Sequence, residues 1–419
     1  MDKRNFIKTL GALSFSPLVS ANELSKIKQI SDKLPIIDDD ELLWKTIRSH
    51  YTLKDDYINL ESGYYNIIPN PILEHFIKHV KHVNIEGSHY MRYELKKNKD
   101  RVISELAELV GSKPDQLGIT RNATESLDLI ISGFPWKKGD EAIYAKQDYG
   151  TMKEMFEQVS DRYGTVNKIV SVPNHPKNDQ EIVSLYESQI TSNTKLIMIC
   201  HMINITGQIL PVKKICEMAH NYGVEVMVDG AHCVGHFDFS IDEFNCDYYG
   251  SSLHKWLATP LGAGLLYINK NNTHKIWPLL ANGNTNKNDI KRLNHIGTHP
   301  VHTDLAISNS IDYIKWIGMR KKEERMRFLQ RYWSDKLRGF KNVIVNTPED
   351  NHRSCGIANV GLTNMLPSDM AKTLFKKYKI FTVAIDYANV KGCRISPNIF
   401  TTTKELDHFI GAVKEMSIS

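Results

Sequence analysis

The sequence predicts an α/β fold, in which a large domain on a mostly parallel, helix-covered sheet is joined to a smaller α+β domain. Two observations carry this expectation. Apolar runs of strand length recur between segments of helical periodicity at residues 141–145, 166–170, 195–201, 224–229, 247–251 and 264–268. Beyond about Thr298 the pattern changes to long helices followed by clustered strands. Strands separated by helices return in the same direction, and the resulting parallel sheet is buried on both faces.

Taken in order, the chain opens with Lys3-Arg4-Asn5-Phe6-Ile7-Lys8, a modestly apolar stretch over 10–19, and the small-residue close Val19-Ser20-Ala21. A basic start, an apolar middle and small closing residues describe an export signal over 1–21. The pattern resembles a twin-arginine signal with Lys3 in place of the first arginine. If the signal operates, the protein is exported or periplasmic; the alternative is an amphipathic first helix or tail on a cytoplasmic protein.

A polar stretch over 22–40 opens an N-terminal arm, 22–70, that is expected to join the small domain; it leads to a helix at 71–83, with Asn70 as its cap and Pro71 in its first turn. A helix over 100–110 stops at Gly111, and another covers 126–131. The strand runs then alternate with helices such as 211–222. Helices at 304–318 and 322–340, strands at 343–346, 356–362 and 381–385, and a last helix at 404–416 make the smaller domain. The large domain spans 71–300 and the C-terminal small domain 301–419. No internal repeat or low-complexity linker separates them, so the domains are expected to pack tightly.

Bulk properties exclude several function classes. The chain has 419 residues, 41% apolar and 24% charged, with a formal net charge of +5. No basic run interleaves with aromatics, which argues against nucleic acid as a partner. Arg320-Lys321-Lys322 is followed at once by Glu323-Glu324 and reads as the solvated face of a helix. The six cysteines form no CxxC pair, so neither a metal site nor a disulfide framework is expected. No apolar run reaches the roughly 20 residues of a membrane span.

The chemistry concentrates in Val226-Met227-Val228-Asp229-Gly230-Ala231-His232 and, downstream, Ser252-Leu253-His254-Lys255. Ligands of parallel α/β sheets collect at the carboxyl ends of strands, where Asp229 falls. A buried carboxylate there needs a cationic partner. A protonated pyridine nitrogen is such a partner, and its protonation makes the ring an electron sink. Lys255 can form a Schiff base once burial and nearby positive charge strip its proton. Singly, Asp229 reads as a turn cap and Lys255 as a surface lysine; together at a strand end they favour covalent cofactor chemistry.

With these motifs in order, the chain resembles a fold-type I pyridoxal-phosphate (PLP) enzyme of the class V aminotransferase family. It is most similar to isopenicillin N epimerase-like proteins, with cysteine desulfurases as cousins, from about Asn59 onward. The resemblance implies a seven-stranded-type central sheet, pyridoxal 5′-phosphate as cofactor, and Lys255 and Asp229 as its catalytic anchors. Gly118-Ile119-Thr120-Arg121-Asn122-Ala123-Thr124-Glu125-Ser126 is similar to the phosphate loop, with Ala123 and Thr124 at a helix N-terminus that suits a dianion. The resemblance further implies Tyr149 stacked over the ring, Asn204 and His232 beside it, and Ser252 and His254 on the phosphate. Gly297-Thr298 is implied to reach the neighbouring subunit's phosphate, making a homodimer with shared sites. Arg394 is implied to grip the substrate carboxylate, for which its planar fork is suited. Gly63-Tyr64-Tyr65 is placed where the family's N-terminal arm nears the substrate.

One departure bears on chemistry. Desulfurases carry a mobile-loop cysteine some way before the carboxylate-binding arginine; here 383–392 holds none, and Cys393 adjoins Arg394. The expectation is a PLP enzyme acting at the α-carbon of an amino acid or amino-acid-containing peptide, epimerase-like or aminotransferase-like. The alternatives are a carbon–sulfur lyase or desulfurase, and a PLP- or ligand-binding protein without turnover. A nucleotide-binding α/β protein is disfavoured, since no GxGxxG or GxxxxGK[ST] follows a strand.

Overall fold

A computed structural model describes residues 39–418, together with Ile30, Leu34, Pro35 and Ile37. The candidate export segment at 1–21 lies outside the described residues.

The large domain is built on a seven-stranded sheet in the order β2-β8-β7-β6-β5-β3-β4. Its strands are β2 (Leu117–Thr120), β3 (Glu141–Ala145), β4 (Val166–Val170), β5 (Thr194–Cys200), β6 (Glu225–Asp229), β7 (Tyr248–Ser252) and β8 (Gly264–Ile268). The β7-β6-β5-β3-β4 run is parallel, and β8 enters antiparallel between β7 and β2. Successive side chains of a strand point to opposite faces. Ile197, Ile199, Val226 and Val228 therefore pack on one side, against Ile215 and Ala219 of α7 (Val212–Asn221) and Leu106 of α3 (Leu95–Val110). Leu196, Met198 and Met227 pack on the other, with Leu127 and Ile130 of α4 (Ala123–Gly133) and Phe156 of α5 (Gly150–Tyr163). Both faces are covered, which is why these strands read as continuous apolar runs rather than alternating ones.

Register fixes the site. Cys200 pairs with Asp229, and Asp229 pairs with Gly250, so the carboxyl ends of β5, β6 and β7 lie level. The segments that leave these ends carry Asn204, His232 and Lys255.

The small domain has an antiparallel sheet in the order β12-β13-β10-β9, made from β9 (Val343–Val345), β10 (Ala358–Leu362), β12 (Val383–Tyr387) and β13 (Val390–Ile395). Trp333 and Leu337 of α9 (Met319–Leu337) and Phe409 and Val413 of α11 (Thr403–Ile418) fill its core. The N-terminal arm joins it through β1 (Ile58–Asn59), which runs parallel to β11 (Ile380–Phe381). Between the domains, α8 (Val301–Ile317) lies along α2 (Asn70–Glu86), where a His79 ring nitrogen sits 2.8 Å from Asn309 Oδ1. No helix among the described residues is long and apolar enough to cross a membrane.

Several local expectations are corrected. Pro69, not Asn70, occupies the cap of α2, and the Asn70 Oδ1 accepts from Thr52 instead. The expected 381–385 strand is broken at Thr382 into β11 and β12, and three strands, β1 (Ile58–Asn59), β2 and β13, have no counterpart among the expected ones. The basic cluster at 320–322 is only partly solvated. Arg320 and Lys321 pair with Glu324 and Asp40 at the surface, but Lys322 is 3% exposed and donates to the Trp256 carbonyl at 2.6 Å. A one-residue difference in helical phase separates a solvated from a buried side chain.

Candidate active site

A cavity of about 320 Å³ opens at the carboxyl ends of β5, β6 and β7 and brings together nearly every candidate residue. Asp229 closes β6 and is 6% exposed. Its Oδ1 accepts from the Ala231 N–H at 2.9 Å, and among the described residues no Lys, Arg or His lies within ion-pair distance of it. Burial raises its pKa, opposed by the Ala231 hydrogen bond and the charge of Lys255. The strand can turn here because residue 230 is glycine: a Cβ would stand about 2 Å from the Tyr249 ring.

Lys255 follows β7 and points at His232, with Nζ 3.0 Å from Nε2. The Trp256 indole, which can only donate, gives its N–H to His232 Nδ1 at 3.3 Å. His232 is therefore neutral with its proton on Nε2, the nitrogen that faces Lys255 Nζ. Burial holds His232 well below the usual histidine range, with the Lys255 charge adding to the effect. Burial also lowers Lys255 to about 8, against the pull of Asp229, so a fraction of the amine is unprotonated near neutral pH.

The opposite wall is the start of α4. Asn122 caps it by accepting from the Glu125 N–H at 2.8 Å, and Ala123 donates its N–H to Ser252 Oγ at 3.0 Å. Because Asn122 serves as the cap, Thr124 lines the cavity at the positive end of the helix dipole. His254 stands beside it with a buried Nδ1 that lacks a partner. Tyr149, at the cap of α5, is 44% exposed at the rim. Asn204 lines the cavity with its Oδ1 buried and unpartnered.

Arg394, on β13, reaches in from the small domain and is buried. Its Nε and Nη2 are bound by the Glu61 carboxylate, with Nε to Oε2 at 3.2 Å. Sequence reasoning missed Glu61; the available signal was an acid two positions before Gly63-Tyr64-Tyr65, in the arm already placed near the substrate. Thr298 is not brought into the cavity of its own chain, and it and Gly297 are exposed at the surface.

All six cysteines are free and buried. Cys200 lines the cavity floor, where burial, Asp148 and Asp229 push its thiol far up. Cys393 is turned away, its Sγ 3.7 Å from the Pro367 carbonyl. Between β12 and β13 the chain makes a two-residue turn at Ala388 and Asn389, both with positive φ, so this segment is a tight hairpin.

These features fit one group. A buried carboxylate without a counter-ion suits a pyridinium, a helix N-terminus with hydroxyls and an imidazole suits a phosphate, and a buried lysine of lowered pKa suits an aldehyde. Fold and cavity define a fold-type I PLP enzyme. The chain matches the class-V aminotransferase family over residues 68–409 and belongs to it. It is 25% identical to isopenicillin N epimerase of Streptomyces clavuligerus, covering 89% of this chain and 98% of that one. It is 23% identical to a probable cysteine desulfurase of Halobacterium salinarum, covering 86% and 92%. Among solved structures it resembles the apo cysteine desulfurase of Thermococcus onnurineus NA1, with a TM-score of 0.79 and 19% identity over 89% of this chain and 98% of the other. It also resembles the cystine C-S lyase C-DES in complex with cysteine persulfide, with a TM-score of 0.76 and 18% identity over 86% and 97%.

Proposed function

We propose that this enzyme moves a proton at the α-carbon of an amino acid or amino-acid-containing peptide, in an epimerase-like or aminotransferase-like reaction. The observation that carries the reading is a buried Lys255 amine, its pKa lowered by burial to about 8, in one cavity with Asp229 and Arg394, while every cysteine of the chain is buried. When bound, pyridoxal phosphate supplies an aldehyde that takes the substrate's amino group and a cationic ring that withdraws the electron pair left at the α-carbon.

The chain's own residues do the rest. Asp229 would hold the ring nitrogen protonated, and Tyr149 would cover the ring. Ala123, Thr124, Ser252 and His254 would hold the phosphate, while Asn204 and His232 would sit at the ring's phenolic edge. Lys255, released by the substrate, is the general base, and its depressed pKa suits it to take a proton near neutral pH. Arg394 would hold the substrate carboxylate. We further propose a twofold dimer in which Gly297 and Thr298 complete the phosphate site of the neighbouring subunit.

The likeness to desulfurases and a lyase keeps carbon–sulfur cleavage as the second reading. Against it stand the tight Ala388–Asn389 hairpin and the buried Cys393. Incubating the holoenzyme with single enantiomers in heavy water tests both. Deuterium at the α-carbon with inversion identifies an epimerase, and a 2-oxo acid identifies an aminotransferase. Pyruvate or released sulfur formed from cysteine or cystine would refute the proposal in favour of cleavage. A cofactor absorbance that responds to no amino acid would leave only a binding protein.

A further inference from the structure

The arginine expected to receive the substrate is already paired. Glu61 and Arg394 lie 333 positions apart in sequence and are both buried, with side chains 6% and 8% exposed. Glu61 is itself held: its Oε1 accepts from the Tyr64 N–H at 3.0 Å, and its Oε2 lies 3.3 Å from Ser396 Oγ. It does not line the cavity, whereas Arg394 does, so the carboxylate grips the guanidinium from behind.

A guanidinium has five N–H donors. Glu61 takes one from Nε and one from Nη2, and the Asn204 carbonyl takes one from Nη1 at 3.3 Å. One N–H on each terminal nitrogen is left. That remainder suits a single carboxylate, and the charge behind it is already cancelled. The other titratable groups around the cavity do little to replace it: burial shifts Lys255, His232 and His254 toward their neutral forms, Lys255 is the group that would engage the cofactor, and Asp229 is an acid.

We propose that Glu61 is a positioning residue that sets the substrate's charge class. It aims the free edge of Arg394 at one carboxylate and masks the excess positive charge, so that the site takes amino acids with neutral or cationic side chains and rejects those with a second carboxylate. This inference rests on the proposed amino-acid chemistry and refines it. A cation left unmasked at this depth would attract any further anion in the cavity, because Coulomb energies are large where water is scarce.

The test uses isosteric probes on the holoenzyme. Dissociation constants for glutamine and glutamate, and for asparagine and aspartate, are read from the cofactor's absorbance. The wild type should favour each amide over its acid by about tenfold or more. Glu61→Gln should shrink that ratio by about tenfold, and Glu61→Asp, which keeps the charge, should preserve it. General damage to the fold weakens both members of a pair and leaves the ratio in place. A ratio unchanged in Glu61→Gln refutes the inference, as does a wild type that prefers the acids, which needs no variant at all. Absence of any response to any amino acid refutes the proposed function, and this inference falls with it.

Discussion

Replacing Lys322 with methionine removes an ammonium group from the protein interior, and the effect on stability can be worked from its surroundings. The side chain is 3% exposed, and its single described hydrogen bond runs to the Trp256 carbonyl. Burial lowers its pKa from 10.5 to about 7. Between those values the unfolded chain binds a proton that the folded chain does not, so this lysine makes stability rise with pH by up to about 1.4 kcal/mol per unit. Near pH 8 the deficit is about 3 kcal/mol, and it is largest below pH 7. Methionine conserves the unbranched shape, but it leaves the Trp256 carbonyl buried without its donor, costing about 1–3 kcal/mol. The variant should therefore match or exceed the wild type by up to about 2 kcal/mol near pH 8, with an advantage that grows toward pH 6 and disappears toward pH 10. Urea unfolding of the two apoenzymes across that range checks this, and the Lys255 contribution cancels in the difference. Stability curves that stay parallel with pH would refute the reasoning.

Three further outcomes are expected. Asp229→Asn should retain bound cofactor by absorbance while turnover falls about a thousandfold, because the ring loses the charge that keeps its nitrogen protonated; turnover within tenfold of wild type would contradict the assignment. Arg394→Lys should raise KM about 10–100-fold with a smaller change in kcat, since an ammonium cannot satisfy Glu61 and a substrate carboxylate in one plane. Cys393→Ala should leave turnover within about twofold, as befits a buried thiol that acts only through packing; loss of activity together with loss of sulfur release would reverse the choice against desulfurase chemistry.

Most of the sheet was legible because strands covered on both faces must be apolar throughout, and β3, β5 and β6 announce themselves that way. The chemistry of β6 was legible for a related reason. A carboxylate at the end of such a run is out of place unless something charged meets it, and among the described residues no side-chain cation pairs with Asp229. What could not be read are the features set by tertiary contact. β13 is apolar only in part, and its pairing with β12 depends on a turn whose residues, Ala388 and Asn389, are not the usual Asn-Gly signature. Lys322 looked solvated because its neighbours are. Glu61 looked like one more polar residue of the arm, since its role exists only once residue 394 is beside it.

The parallel pairing of β1 with β11 has a consequence for how the enzyme matures. On the ribosome, the arm bearing Glu61 emerges long before its partner strand, and domains fold largely in the order they are made. The chain's own side of the coenzyme pocket, contained between β2 and the segment after β7, can form while the arm still waits for the C-terminal strands. Capacity to hold the coenzyme would then precede capacity to recognise what it acts upon, and a chain cut short before residue 380 would bear the first without the second.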